Sequence, residues 1–239
     1  FLRKLKSKGF TGAVGTSASF EALIGKDNLS LFHEKISDKL GLAFYPVVTQ
    51  TYPRIQDYSL LSLLAGQGAA IYKLAFDLRI LQSPRFGELA EPFGGDQVGS
   101  SAMPFKQNPI KAEKINSLGR LLAQYPRIAW DNAAHSLLER TLDDSANSRV
   151  IIPEAFLCLD EMLASMAAIL SDLQVHEERI RQNLAEYAPV TATENLLMQL
   201  SKKGADRQQT HHILRKLAVQ AWQEVRAGNP NPLIELAAT

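Results

Sequence analysis

Cysteine is nearly missing from this sequence, since Cys158 is the single one among 239 residues. One cysteine excludes a framework of intrachain disulfides and fits a reducing compartment, so we expect a cytoplasmic protein. An excess of charge of either sign is missing as well, because 26 basic residues stand against 25 acidic ones and leave a net charge of +1. That balance gives no reason to expect nucleic acid or a membrane surface as a partner.

Long apolar runs and strand patterns are also scarce. The most apolar stretch, residues 60–76, contains Ser62, Gln67 and Lys73 and falls short of the roughly 20 apolar residues of a membrane span. No segment alternates apolar and polar residues convincingly, and LAFYPVVTQTY (42–52) contains a proline, so we interpret it as a loop. The five histidines show no zinc-ligand spacing, and no metal site is expected.

Helical periodicity fills the sequence instead. Apolar residues recur at helical spacing from Arg54 to Leu81, which predicts a helix of about 40 Å, and Gly66 and Gly68 within it favour close packing against a neighbour. The other predicted helices are residues 109–125, 127–140, a helix following Pro153, 177–187, 191–203 and 206–226. The predicted fold class is therefore all-α, a long-helix bundle (1–174) followed by a small helical C-terminal domain (175–239).

Four polar stretches interrupt the helical pattern, and the first two each begin a helix. In GAVGTSASF, backbone N–H groups and the hydroxyls of Thr16 and Ser17 suit an anion. The alternative is a plain helix cap made by a serine. QTYPRIQD opens the longest helix, where Gln50 and Arg54 either meet a ligand or form a polar helix start.

The third stretch, GSSAMPFKQNP (99–109), combines hydroxyls, a lysine and an amide. Lys106 and Asn108 suit a developing dianion, because the lysine neutralises charge and the amide donates a hydrogen bond. Ser100, or its neighbour Ser101, would take the proton once a partner activates its hydroxyl. The alternative is a glycine-serine loop without chemistry.

The fourth stretch, ERTLDDSANSR, places two arginines and a hydroxyl in one polar run. Arg140, Ser145 and Arg149 form a natural phosphate-binding set, because guanidinium groups pair bidentately with oxyanions. The alternative is a surface salt-bridge cluster with Asp143 and Asp144. The residues themselves leave both interpretations open.

The third stretch fits the pattern G-S-S-x-M-P-x-K-x-N-P and resembles the signature of the fumarase/aspartase superfamily. Four other stretches make the resemblance more specific, to the superfamily members that act on succinylated purine nucleotides. These stretches are KGFTGAVGTSASF, QTYPRIQD, LLERTLDDSANSR and TATENLLMQLSKKGADRQQTHH. The resemblance covers essentially the whole chain and implies a β-elimination of fumarate without metal or organic cofactor. It also implies a homotetramer whose active sites are shared between subunits.

The resemblance also implies roles for the candidate residues. Ser100 corresponds to the serine that abstracts the proton, with Ser101 beside it, while Lys106 and Asn108 correspond to groups that stabilise the carbanion. Lys114 falls where many relatives have arginine, which makes it an altered substrate contact. The other implied substrate contacts are Gln50 and, for the phosphate, Arg140, Ser145 and Arg149.

One element of the superfamily pattern does not occur in these 239 residues. The general acid of the family is a histidine in a T-H-x-Q-P segment, which the pattern places before GFTGAVGTSASF. We therefore expect the chain to be the C-terminal half to two-thirds of an enzyme, with a bundle domain incomplete at its N-terminus. Alone, it should release no fumarate. The alternatives are another lyase or cycloisomerase of the superfamily, such as one acting on argininosuccinate or carboxymuconate, and a non-catalytic helical assembly module.

Overall fold

Helices make up most of the structure, a computed structural model that describes residues 5–94, 103 and 106–238. The helices are α1 (Ala18–Ile24), α2 (Leu29–Leu40), α3 (Ile55–Leu81), α4 (Ile110–Leu122), α5 (Tyr125–Ala134), α6 (Asp143–Ser171), α7 (Glu177–Thr191), α8 (Thr193–Lys202), α9 (Arg207–Arg226) and α10 (Leu233–Ala238). The strands, of two residues each, are β1 (Lys6–Ser7), parallel to β2 (Ala43–Phe44), and β3 (Leu89–Ala90), antiparallel to β4 (Gln174–Val175). The predicted all-α class is confirmed.

The longest predicted helix is confirmed nearly to the residue, because α3 begins one residue later than expected, at Ile55, and ends at Leu81. Beyond its end, the amide of Ser83 donates to the carbonyl of Ile80, which turns the chain just before Pro84. A residue that precedes a proline disfavours helical backbone, so the helix ends here.

The largest difference from the prediction is at α6, which begins at Asp143, ten residues before the expected start, and contains Pro153 in its interior. An interior proline removes one backbone donor and costs about 3 kcal/mol. Buried residues on both sides, Ile151 and Ala155, continue the same packed face through the proline. Packing on both sides therefore offsets the local cost, and the expected start after Pro153 is wrong.

Another difference lies between α5 and α6. The predicted helix 127–140 ends instead at Ala134, where a ring nitrogen of His135 lies 2.9 Å from the carbonyl oxygen of Asp131. Such a local side-chain contact to the backbone competes with continued helix formation. Arg140 therefore lies in a loop and not on a helix.

The expected loop at residues 42–52 is also not wholly irregular. Ala43 and Phe44 form β2 beside Lys6 and Ser7.

The chain divides into two compact units, of which the first comprises residues 1–79 and 93–172. Its core is a long-helix bundle in which α4 packs along α6, and Leu122 and Met162 there are completely buried. A Cβ at Gly68 would lie only 2.6 Å from Leu122 Cδ2. The expected close packing at Gly68 is therefore observed, whereas a Cβ at Gly66 would meet no atom within 4 Å.

The second compact unit comprises residues 80–92 and 173–239. The domain prediction placed its first segment with the bundle. That segment supplies β3, and its backbone continues the pairing, since the amide of His176 donates to the carbonyl of Glu88 at 2.9 Å. Arg179 adds two hydrogen bonds from its guanidinium to the carbonyls of Arg85 and Phe86.

By length and composition α3 alone, among the described helices, could cross a membrane. The sequence had predicted that this stretch falls short of a membrane span, because Ser62, Gln67 and Lys73 interrupt it. One such helix is weak evidence, because the core helix of a soluble protein passes the same test. Within this chain only 22% of its most apolar window is buried.

Candidate active site

Three of the four polar stretches come together in the first compact unit. The GAVGTSASF stretch approaches the loop before α3 so closely that a Cβ at Gly15 would lie 2.2 Å from the carbonyl oxygen of Val48. Gly15 also has a φ of +79°, a conformation that favours glycine. From the other side, the hydroxyl of Thr49 donates to the carbonyl of Glu139 at 2.7 Å. The loop that carries Gln50 therefore lies between the other two stretches.

A cleft of about 460 Å³ opens beside this junction. Its wall combines the 47–55 loop with the end of α5 and the loop that follows it. Trp130 and Leu137 contribute apolar surface to its lining, while Thr49, Arg54 and Glu139 contribute polar groups. Gln50 is exposed and belongs to the same loop. Clefts of this kind, mostly apolar with a few convergent polar groups, are typical of small-molecule sites.

Arg54 links the start of α3 to the start of α6. Its Nε lies 2.7 Å from Asp144 Oδ2, and its Nη1 lies 3.7 Å from Asp57 Oδ2. The guanidinium also lies over the ring of Tyr52, 4.9 Å from the centroid, and the Tyr52 hydroxyl donates to Asp57 Oδ1 at 2.7 Å. We name these four side chains the Arg54 cluster. It replaces the predicted surface cluster of Asp144, whose side chain is only 4% exposed.

Burial shifts the pKa of two groups in the Arg54 cluster. Desolvation raises the pKa of Asp57, and the nearby Asp144 charge adds to the rise, whereas the Tyr52 hydrogen bond and Arg54 oppose it. Desolvation, together with the hydrogen bond to Asp57, raises the pKa of Tyr52 to about 12. The Tyr52 hydroxyl therefore stays protonated and remains a hydrogen-bond donor at neutral pH. Within the cluster, Arg54 is the one positively charged side chain, and it lies beside two carboxyl groups.

The predicted phosphate-binding residues lie in the loop before α6 and in the first two turns of that helix. Ser145 and Arg149 are four residues apart on α6 and share one face of the helix. Arg140 precedes the helix, and its Nε donates to the carbonyl of Thr141 at 3.3 Å. The N-terminus of a helix favours an anion, because its backbone N–H groups and the helix dipole both attract negative charge.

The structure describes the signature stretch only in part, so Ser100 and Ser101 lie outside the described residues. Lys106 is exposed, and its amide donates to the carbonyl of Met103 at 3.0 Å. Asn108 lies just before α4, where its carbonyl accepts from the amide of Ile110. The assembly of these residues around a substrate stays a prediction.

Lys114 and Ser17 make contacts other than those predicted, which were a substrate contact for Lys114 and an anion site or a helix cap for Ser17. Lys114 Nζ lies 2.5 Å from Glu161 Oε1, and this hydrogen bond from the lysine lowers the pKa of Glu161. Ser17 directly precedes α1, has a φ of 60° and is buried, but its side chain makes no cap hydrogen bond. Thr16 instead accepts a 3.4 Å hydrogen bond from the amide of Ala18.

Sequence reasoning gave no role to Tyr52 and Asp57, and it considered Asp144 only as part of a surface salt-bridge cluster. The burial of Asp144 could have been predicted, because Asp144 precedes the apolar Ile151 by seven residues and therefore shares its face of α6. Tyr52 and Asp57 both belong to QTYPRIQD, but only the tertiary contact shows that they surround Arg54. In the part of the chain that the structure describes, no group of three His, Cys, Asp or Glu residues is placed to hold a metal ion.

Comparison with known proteins agrees with this architecture. The family model described as "Lyase" matches residues 3–121, and the model described as "Adenylosuccinate lyase C-terminus" matches residues 189–239. The adenylosuccinate lyase of Caenorhabditis briggsae is 39% identical over 226 residues, which are 93% of this chain and 47% of that protein. The adenylosuccinate lyase of Saccharomyces cerevisiae is 39% identical over 232 residues, 95% of this chain and 48% of that protein.

A solved structure extends the agreement to the fold. The fumarate lyase from Mesorhizobium sp. BNC1 superposes with a TM-score of 0.75 at 23% identity, and the match covers 96% of this chain and 48% of that one. The family models and the 39% identical relatives place the chain in the fumarase/aspartase superfamily, and the fold agrees with that placement. Within it, the chain belongs to the adenylosuccinate lyase family. It spans about half the length of the curated relatives it matches.

Proposed function

We propose that the gene product containing this chain is an adenylosuccinate lyase. It would release fumarate from adenylosuccinate to give AMP, and from the related succinylaminoimidazole carboxamide ribotide of purine biosynthesis. Identity of 39% to adenylosuccinate lyases along almost the whole chain is the observation that carries this proposal. The close approach of the Gln50 loop and the Arg140 segment supports it, because both were expected to contact one substrate.

The proposed reaction divides between two ends of the substrate. At one end, deprotonated Ser100 takes the proton from the carbon next to a carboxylate of the succinyl group, and Lys106 and Asn108 stabilise the aci-carboxylate that forms. The electron pair then expels the purine nitrogen, and the C–N bond breaks. The nitrogen takes its proton from a general acid, which the family supplies from the T-H-x-Q-P segment.

At the other end, Arg140, Ser145 and Arg149 hold the nucleotide phosphate at the start of α6. Two guanidiniums and a hydroxyl next to a helix N-terminus match the charge and the hydrogen-bonding capacity of a phosphate group. Gln50, on the loop bonded to the Arg140 segment, contacts the substrate between the two ends. No cofactor takes part in this scheme.

The test assays the purified gene product that contains these 239 residues for fumarate release from adenylosuccinate and argininosuccinate, and for lactone formation from carboxymuconate. We expect turnover of adenylosuccinate and much slower or no turnover of argininosuccinate and carboxymuconate, because neither alternative substrate carries a purine nucleotide. Preference for either one would assign the protein to another lyase or cycloisomerase of the superfamily. Binding of AMP without turnover of any of the three substrates would favour a non-catalytic assembly module. That the 239 residues alone release no fumarate stays a separate prediction.

The proposed enzyme is a homotetramer, and apolar stripes on the two longest helices support this. On α6, Phe156, Leu163 and Leu170 follow one another at seven-residue intervals, and each is about half exposed. On α3, Leu63 and Leu74 flank the open Gly66 on one face. Exposed stripes with heptad spacing are typical of helices that pack against further helices, and small residues permit a close approach.

Sedimentation velocity tests the assembly. We expect the gene product to sediment as a species with four times the mass of one chain. Leu163→Glu should shift the distribution toward smaller species, because the tetramer interface would then bury a charge. Ile213→Glu is the matched control, since Ile213 on α9 is similarly exposed but belongs to the other compact unit. A single-chain mass for the unchanged protein, or a tetramer that resists Leu163→Glu, would refute the proposed interface.

A cytoplasmic location completes the proposal. The single cysteine, Cys158, is buried as a free thiol, and burial raises its pKa, which keeps it protonated and unreactive.

A further inference from the structure

Side-chain contacts at two places, Asp144 and the Asn147–Ser148 pair, hold the first turns of α6 to the rest of the first compact unit. Asp144 pairs with Arg54 at the start of α3. One turn later, Asn147 and Asn132 of α5 exchange amide hydrogen bonds of 2.6 and 3.0 Å. The contact at Asp144 joins the helix that carries Ser145 to the start of α3, next to the loop that carries the predicted substrate contact Gln50.

Arg54 is itself fixed from several sides. It lies over the Tyr52 ring, and Asp57 lies 3.7 Å from its second nitrogen and accepts a hydrogen bond from Tyr52. The side chain of Arg54 is only 16% exposed, so water screens its charge little. A guanidinium held in this way fixes the position of Asp144 through charge attraction, because the two buried opposite charges lie 2.7 Å apart.

Asp144 is therefore placed to set the position of two phosphate-binding residues. Ser145 is its direct neighbour, and Arg149 lies one helical turn beyond Ser145, so a displacement of the first turn moves both. Within the described part of the chain, neither Asp144 Oδ1 nor Arg54 Nε has a hydrogen-bond partner, so the charge attraction of the 2.7 Å ion pair is the main compensation for the burial of Asp144. Loss of this pair would loosen the turn that carries Ser145 at its N-terminal end, because the bonds of Asn132 hold only Asn147 and Ser148.

We infer that Asp144 and Arg54 are positioning residues, which act on the substrate phosphate through the start of α6 without touching the substrate. This inference rests on the proposed function, because it requires that Ser145 and Arg149 bind the phosphate. It reassigns Arg54, which the sequence offered as a ligand contact, to an indirect role. Displacement of a binding group by about 1 Å costs up to about 100-fold in rate.

Kinetics with a matched pair of substrates and variants tests the inference. In the gene product, we expect Asp144→Asn to lower kcat/KM for adenylosuccinate at least about tenfold, mainly through KM. For the corresponding nucleoside, which lacks the phosphate, the same substitution should change kcat/KM less than about twofold. Asp143→Asn is the control, because Asp143 carries the same charge in the same helical turn but is exposed. It should leave both substrates unchanged.

Equal losses for nucleotide and nucleoside would overturn the inference, since Asp144 would then support the fold in general. Hydrogen exchange on the purified chain gives a second readout that needs no activity. Asp144→Asn should speed the exchange of amides in residues 145–149 and leave α9 unchanged, whereas unchanged exchange at 145–149 would refute the positioning role. If the gene product releases no fumarate, the proposed function fails, and the exchange result alone decides whether the pair holds this turn.

Discussion

Replacement of Ser100 by alanine is expected to lower kcat for adenylosuccinate at least about 100-fold in the gene product that contains this chain. A positioned general base contributes typically 10²–10⁴-fold to a proton transfer. Alanine removes the hydroxyl and leaves Lys106 and Asn108 to stabilise a carbanion that forms only slowly. Because substrate binding does not depend on the hydroxyl in this scheme, KM should change little. Initial rates of fumarate formation measure both constants.

Two further serine variants test whether the loss is specific to Ser100. Ser101→Ala should cost less than Ser100→Ala, because the neighbouring serine is the second candidate for the base. Ser171→Ala is the matched control, since Ser171 is an exposed serine at the end of α6. Near-normal turnover by Ser100→Ala would remove its assignment as the base. A larger loss in Ser101→Ala than in Ser100→Ala would exchange the two roles.

The largest expected loss of stability follows from Leu122→Ala, which should lower the free energy of unfolding by about 2–5 kcal/mol. Leu122 is completely buried where α4 crosses α3, and its Cδ2 occupies the space that a side chain at Gly68 would need. Glycine has no side chain that can move into the resulting cavity, and Met162 is already fully buried. The cavity therefore stays open. Urea unfolding of the purified chain, followed by circular dichroism, gives the free energy.

Leu121→Ala is the matched control for this loss. Leu121 is the preceding residue of α4, but 46% of it is exposed in the single chain, so the same truncation should cost less than about 1 kcal/mol. A similar cost for both variants would mean that the contact between α3 and α4 at Gly68 does not govern stability. Measuring below the concentration at which chains associate keeps the comparison to one chain.

The predictable part of the fold is the part that local sequence patterns determine. The bounds of α3 were accessible, because apolar periodicity and the Ser83–Pro84 stop both act within a few residues. The start of α6 was not, because Pro153 is locally a stop signal and only its packed neighbours, Ile151 and Ala155, outweigh it. Such packing energy depends on residues far away in sequence and has no local pattern.

The candidate site divides in the same way. Each polar stretch was identified by its own residue types, but the contacts between stretches were not predictable. The hydrogen bond from Thr49 to Glu139 joins residues 90 apart in sequence. Asp144 entered the sequence interpretation only through the alternative of a surface salt-bridge cluster, and its pairing with Arg54 is visible only once α3 and α6 are in place.

The make-up of the second compact unit limits how the protein can be divided. The chain enters this unit at residue 80, leaves it after 92 and returns at 173, so no single cut separates the two units. A stop codon after residue 172 would take away the strand partners of Leu89 and Ala90 and expose Ala90 and Glu91, which are now buried. A C-terminal region exchanged between relatives must therefore bring its own copy of the 80–92 segment, or a sequence that pairs equally well with the incoming strand.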